Sequence, residues 1–319
     1  MLRKWEVDIE KLYEGNRITV ARAISLVENE AEGAKGFLKE IFPRTGRGYR
    51  IGITGPPGAG KSTITNRLAQ FYRKQNLEVG IVAVDPTSPF TGGALLGDRV
   101  RMTDVEMDEG VFIRSMASRG SLGGLSKKAS EATDVLDASG KDIIIMETVG
   151  VGQSELDVAR AADTTVVVLV PESGDSIQAM KAGLMEIADF FVLNKADRAG
   201  AEQAVMSIKM ILNFKKSDGW VPDVLKAIAN EGIGTPEIAK KIAEHRAYLE
   251  QQGELARKRK ARLEERIREL VADTLRIDFW TGERKAMLSS RIESLMQNRS
   301  TPYDLAQELI DDFRKQQLT

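Results

Sequence analysis

Three groups of residues have the types and spacing to handle a nucleoside triphosphate. Gly55-Pro56-Pro57-Gly58-Ala59-Gly60-Lys61-Ser62 is a complete G-x-x-x-x-G-K-[ST] run, continued by Thr63. Its glycines permit a tight loop in which backbone N–H groups, the Lys61 ammonium and the N-terminus of a following helix converge on phosphate oxygens. Ser62 would offer its hydroxyl to Mg2+. The second group consists of acids that close apolar runs. Glu147 follows Ile143-Ile144-Ile145-Met146 and opens E-x-x-G with Gly150, whose N–H is expected at the γ-phosphate. Asp85 ends Ile81-Val82-Ala83-Val84, and Asp98 follows the Thr91-Gly92-Gly93 stretch. Acids at the carboxyl ends of parallel strands face the ligand crevice, so Ser62, Asp85, Asp98 and Glu147 are the expected metal residues. The third group is Asn194-Lys195-Ala196-Asp197, N-K-x-D directly after Phe190-Phe191-Val192-Leu193. A carboxylate at Asp197 accepts both the N1–H and the 2-amino protons of guanine, a pair that adenine does not offer, so GTP and GDP are the predicted ligands. Ala229 and Asn230, in Ala229-Asn230-Glu231-Gly232-Ile233-Gly234, form a further base-side element, with Ile228 where S-A-x-x-G-x-G would have serine.

Lys61, Glu147 and Gln153 are the expected catalytic residues. In Ras-like GTPases a glutamine immediately after the glycine of this loop orients the attacking water. Here Val151 takes that place and Gln153 lies two residues further on. Slow intrinsic hydrolysis is the expectation, with a partner completing the site by bringing Gln153 or Lys181 towards the nucleotide.

Composition narrows the chemistry further. The chain has 319 residues, 46 of them basic and 47 acidic, for a net charge of −1, and no cysteine. Disulfides, thiolate metal sites and thiol nucleophiles are thereby excluded. The single histidine, His245, leaves little room for imidazole catalysis, and is expected on the surface of a helix. Near-neutral charge gives no global field for nucleic acid. The basic run 257–262 is interleaved downstream with glutamates, which favours a solvated helix or dimer arm over a nucleic-acid site. Residues 1–15 carry no apolar run fit for a signal peptide, and no 18 apolar residues stand together, so the expected location is cytoplasmic without a membrane span.

The elements that must hold these groups follow from apolar spacing. Residues 1–47 predict a helical extension, with Thr19 as a cap and a linker over Pro43–Gly48. From Tyr49 the pattern becomes short β-branched runs separated by amphipathic stretches. They are Arg50–Thr54, Val79–Val84, Val111–Ser115, Asp142–Glu147, Thr164–Val170, Phe190–Leu193 and Val224–Ala229. Nearly continuous apolar runs indicate strands covered on both faces, hence an α/β fold: a P-loop NTPase with a largely parallel central sheet flanked by helices. The expected divisions are 1–47, a P-loop GTPase domain over 48–245, and a helical, dimerising region over 246–319. Thr301, Pro302 and Asp304 announce the last helix, and Leu184 and Ile187 are expected to face the core with Met180.

The chain resembles the MeaB/ArgK/MMAA family of GTPases, within the group that includes the hydrogenase and urease maturation GTPases. The likeness rests on Gly52–Thr63, Val84–Pro89, Leu96–Met102, Glu147–Glu155 and Pro171–Asp175, and extends over nearly the whole length. It implies a homodimeric, Mg-dependent GTPase that serves as chaperone to an adenosylcobalamin-dependent acyl-CoA mutase, notably methylmalonyl-CoA mutase. In that reading it gates cofactor loading and protects the mutase, and adenosylcobalamin enters only through the partner. The resemblance further implies a switch over 171–186, and the 119–125 loop suits a partner contact. Absence of Cys and His clusters disfavours nickel insertion. The competing expectation is an ArgK-type ATP-dependent kinase or ATPase linked to lysine, arginine and ornithine transport, against which Asn194, Lys195 and Asp197 stand.

Overall fold

The computed structural model describes residues 7–85, 105, 107–117, 124–148, 154–171, 183–214, 219–297 and 299–316. The chain forms two compact units, Met1–Arg259 and Lys260–Thr319. The first contains seven strands: β1 (Tyr49–Thr54), β2 (Val79–Asp85), β3 (Val111–Ala117), β4 (Ile143–Thr148), β5 (Thr164–Leu169), β6 (Phe190–Leu193) and β7 (Val224–Lys226). They lie in the order β3-β2-β4-β1-β5-β6-β7, and every pairing is parallel. All seven apolar runs are therefore strands. The last is shorter than its run: β7 stops at Lys226, and Ala229–Glu231 turn into a 3-10 helix instead.

A sheet covered on both faces explains why the strands read as unbroken apolar runs rather than alternating ones. Ile143 and Ile145 of β4 point into the core on one face, whereas Ile144 and Met146 point into the core on the other. The first face is covered by α4 (Lys61–Arg73), which buries Ile64 and Leu68 there. Ile238 and Ile242 join the same cluster from a later helix, α8 (Thr235–Gln251). On the opposite face α1 (Ile9–Tyr13), α2 (Arg17–Glu28), α3 (Ala34–Ile41), α5 (Gly124–Ala138) and α6 (Ser154–Ala161) share one apolar cluster with Val82, Val84, Ile144 and Met146. Beyond β5, α7 (Ala201–Phe214) sets Val205, Ile208 and Leu212 against Phe191 and Leu193. Leu184 is buried and Ile187 half-buried, while Met180 lies outside the described residues.

The N-terminal helices thus complete the core of the nucleotide fold. α2 is capped by Asn16, whose side chain accepts from the Thr19 N–H; the expected cap, Thr19, lies inside the first turn. The Pro43–Gly48 segment is firmly held. The Asp137 carboxylate accepts from the N–H groups of Gly46, Arg47 and Gly48 at 2.7, 3.1 and 2.9 Å, and buried Arg50 pairs with Asp134 at 2.7 Å.

His245 overturns its surface expectation: it is 1% exposed on α8. Its Nδ1 shares a 2.8 Å hydrogen bond with Thr164 Oγ1, which also meets the Tyr49 hydroxyl at 2.6 Å. Its Nε2 lies 3.3 Å from Asp189, and the Trp220 ring packs against it tilted by 52°, with the centroids 4.7 Å apart. Apolar residues on α8 suggest an amphipathic helix, but the spacing carries no sign that its histidine turns inward to the first residues of β1 and β5.

α9 (Glu254–Phe279) leaves the first unit at Arg259. Lys258 donates to Asp163 O and to Asp189, and Arg259 to the Asp163 carboxylate at 2.7 Å and to Gly46 O at 2.5 Å. The second unit holds the rest of α9, α10 (Gly282–Met296) and α11 (Pro302–Gln316). Thr301 caps α11 as expected, with Asp304 N–H donating to its hydroxyl and Thr301 N–H to the Asp304 carboxylate. No described helix is long and apolar enough to cross a membrane.

Candidate functional site: a phosphate loop joined to a base-side turn

The glycine-rich loop runs from the end of β1 to the first turn of α4, so the helix begins at Lys61 and Ser62. Two of its glycines are required by contact. Gly55, at φ +134°, would place a Cβ 2.1 Å from Val168 O, and Gly60, at φ +88°, would place one 2.2 Å from Asn194 Nδ2. Neither clash can be relieved without moving a strand or the buried Asn194, and only glycine adopts these angles without strain. The Lys61 ammonium is buried and folds over the loop, donating to Gly55 O at 2.7 Å and Pro56 O at 3.1 Å. A cation held there sits where phosphate oxygens would replace carbonyls as acceptors.

β4 lies beside β1 and brings Glu147 opposite Ile53. The Ser62 hydroxyl donates to the buried Glu147 carboxylate. A hydroxyl and a carboxylate in contact form a hard-oxygen pair that fits Mg2+, an ion commonly held through one or two carboxylates with water and phosphate completing its shell. Among the described residues no cluster of three His, Cys, Asp or Glu side chains is present. Asp85 is the last residue of β2, in register with Ala117. Its carboxylate lies outside the described residues, as do Asp98, Gly150, Gln153 and Lys181.

Glu155, which ends the Glu147–Glu155 stretch but is not among the expected site residues, stands in the first turn of α6. Burial raises its carboxyl above the ordinary glutamate range, and the Lys61 charge opposes that rise.

The base side is assembled by Asn194. Buried at the end of β6, its Nδ2 donates to Ala59 O of the phosphate loop at 2.8 Å, while its Oδ1 accepts from the Ala229 N–H at 3.0 Å. One amide thus ties together two loops that are remote in sequence. Lys195 then adopts a left-handed conformation, φ 58°, unusual for a residue with a side chain. Ala196 N–H donates to Ala227 O at 3.0 Å, and Asp197 follows, exposed. Arg67 of α4, which its position in an amphipathic helix did not single out, reaches the same turn and donates to Ala229 O and Asn230 O. Lys61, Ser62, Glu147, Asn194, Ala229 and Asn230 are therefore gathered at the carboxyl ends of β1, β4 and β6, where open α/β sheets take their ligands.

Residues 20–284 match the family described as Methylmalonyl Co-A mutase-associated GTPase MeaB. The chain belongs to this family of GTPases. MeaB-type relatives include a GTPase-family protein of Pyrococcus horikoshii, 52% identical over 268 residues that cover 83% of this chain and 84% of that one. GTPase ArgK of Escherichia coli is 40% identical over 285 residues, 86% of each chain. The mouse methylmalonic aciduria type A homolog, mitochondrial, is 35% identical over 279 residues, 79% of this chain and 66% of that one. Among solved structures, the crystal structure of LAO/AO transport system kinase superposes with a TM-score of 0.74 at 30% identity, covering 96% of both chains. The P-loop fold and membership of this GTPase family make the protein a GTP hydrolase.

Proposed function

We propose that this GTPase is a chaperone of an adenosylcobalamin-dependent acyl-CoA mutase, with methylmalonyl-CoA mutase the leading partner, and that it gates cofactor loading and protects the mutase. The observation that carries the partner is the family match over residues 20–284, whose description names that mutase. The nucleotide half of the reading is supported by the Asn194 amide, which couples the phosphate loop to the Ala229 turn.

In this reading the Lys61 ammonium exchanges the Gly55 and Pro56 carbonyls for β- and γ-phosphate oxygens and neutralises charge that develops there. Ser62 and Glu147 hold Mg2+, with Asp85 and Asp98 as further carboxylates, and the ion supplies charge neutralisation at the phosphates. Asp197 reads the guanine edge, Gly55–Thr63 and Gly150 cradle the phosphates, and Lys195 lines the base. Hydrolysis is slow in the isolated protein because Val151 stands where a water-orienting glutamine would be, and a docked mutase recruits Gln153 or Lys181. The second unit mediates a homodimer, supported by an exposed apolar row on α9 that includes Leu263, Ile267, Leu270 and Ile277.

Single-turnover GTP hydrolysis with and without saturating apo-mutase tests the proposal, in wild type, Gln153→Ala and Lys181→Ala. Stimulation by an acyl-CoA mutase is the expected result. Fast hydrolysis by the isolated wild type, or no response to any acyl-CoA mutase of the host, would sink it. A second reading, an ATP-dependent kinase of amino-acid transport, draws on the solved relative named LAO/AO transport system kinase. Calorimetry separates the two: the GTPase reading requires GDP to bind far more tightly than ADP, and Asp197→Asn to erode that preference.

A further inference from the structure

Asn194 holds the base-side turn from the phosphate-loop side, and Arg67 holds it from α4. The Arg67 Nε donates to Ala229 O at 3.0 Å, its Nη2 to Asn230 O at 2.5 Å, and its Nη1 to Gln70 Oε1 at 3.3 Å. The two carbonyls belong to successive peptide planes. In a planar trans peptide the carbonyl of one residue and the N–H of the next point in opposite directions, so fixing the Ala229 carbonyl also fixes the Asn230 N–H. The other donors of the turn are engaged. Ala229 N–H goes to Asn194 Oδ1 at 3.0 Å, Glu231 N–H to Ile228 O at 3.0 Å, and Gly232 N–H to Ala229 O at 3.2 Å. Asn230 N–H is the donor of this turn that no described residue receives.

We propose that Arg67 is a positioning residue for base recognition: by clamping the Ala229–Asn230 peptide it presents the Asn230 N–H to the substituent at position six of the purine. Guanine carries a carbonyl oxygen there and accepts; adenine carries an amino group and cannot. The inference rests on the guanine-site reading above and assigns the base contact within that turn to Asn230, since the Ala229 N–H is already spent on Asn194. Arginine suits the task because its planar fork can hold two carbonyls at once, whereas a lysine ammonium is a point donor. Arg67 also stands on the helix whose first turn carries Lys61 and Ser62, so one rigid element sets the distance between phosphate contacts and base contact.

The test uses the full chain as wild type, Arg67→Met and Arg67→Lys. Calorimetry would give affinities for GDP, ADP and 6-thioguanosine diphosphate, whose sulfur is a poorer acceptor than the guanine oxygen it replaces. Wild type should prefer GDP to the thio analogue. In Arg67→Met the GDP affinity should fall about tenfold, the scale of one well-placed hydrogen bond, and the GDP-to-thio ratio should collapse towards one. Arg67→Lys should recover part of that ratio. Loosening of the fold alone would weaken both nucleotides by the same factor and leave the ratio unchanged, so an unchanged ratio in Arg67→Met overturns the proposal. So does a wild type indifferent to the sulfur substitution. Equal GDP and ADP affinities in the wild type would instead overturn the guanine-site reading beneath it.

Discussion

Lys61 meets two different demands in one position. Without phosphate, a buried ammonium needs acceptors, and the Gly55 and Pro56 carbonyls supply them; with phosphate, it must release them. Lys61→Ala removes the charge that phosphate would attract, and GTP affinity and turnover should both fall by an order of magnitude or more. Glu147→Gln keeps an acceptor for the Ser62 hydroxyl but removes the negative charge beside it. Nucleotide binding should survive while Mg-dependent turnover drops roughly tenfold or more; unchanged turnover would move the metal carboxylate elsewhere. Gly60→Ala tests the coupling of the two loops, because the new Cβ would meet Asn194 Nδ2 at 2.2 Å. It should weaken GDP binding and lower the thermal midpoint together, by about 1–3 kcal/mol in stability. A variant with wild-type GDP affinity would show that the amide link is dispensable. These contacts were legible from sequence where the chemistry is local, as in the phosphate loop and N-K-x-D. Arg67 was not legible, because its acceptors are main-chain carbonyls more than 160 residues away, and a backbone acceptor leaves no mark on residue type.

Among the elements, the strands were easier to read than their ends. Burial on both faces writes each strand as an apolar run, whereas the last residue of β7 depends on where Ala227 N–H finds its acceptor, Leu193 O, and where the chain then turns. The cap of α2 was misplaced for a related reason: Asn16 and Thr19 are both competent capping residues, and only the backbone decides which lies outside the helix. α9 raises a question of a different kind. It exposes Leu263, Ile267, Leu270, Val271, Leu275 and Ile277 along a 26-residue helix with no buried residue. Exposed apolar rows of this extent mark association surfaces. Ile267→Asp should convert the proposed dimer to monomer in light scattering while leaving the monomer's helical circular dichroism intact. A variant that remains dimeric would place the interface elsewhere. α9 is read as charged from its composition, and the apolar row becomes visible only when those charges are set on the other side of the helix.

At the scale of the whole molecule, one buried imidazole reports on the integrity of the nucleotide fold. Burial lowers the His245 pKa to about 4; the Asp189 carboxylate opposes this and the Lys258 ammonium adds to it. The folded value lies below the unfolded one of about 6.5, so the neutral ring contributes stability above the unfolded value, and that contribution is lost as pH falls towards about 4. The full effect is on the order of 3 kcal/mol. Thermal midpoints of wild type should therefore fall more steeply between pH 7 and pH 4.5 than those of His245→Gln; parallel curves would remove the histidine from the acid response. The Arg259 clamp has a consequence for the order of assembly. Its bond to Gly46 O closes a span of 213 residues, and its bonds to Asp163 join the start of β5 to the same corner. Contacts this remote are costly to form before the intervening sheet exists, so the clamp belongs to the late, downhill side of the folding barrier. Arg259→Gln should then accelerate unfolding and leave the refolding rate nearly unchanged, which denaturant-jump kinetics can resolve. A slowed refolding arm would put the clamp in the nucleus. If the unfolding arm alone responds, Arg259 acts as a kinetic lock that lengthens the lifetime of the folded nucleotide domain without helping to build it.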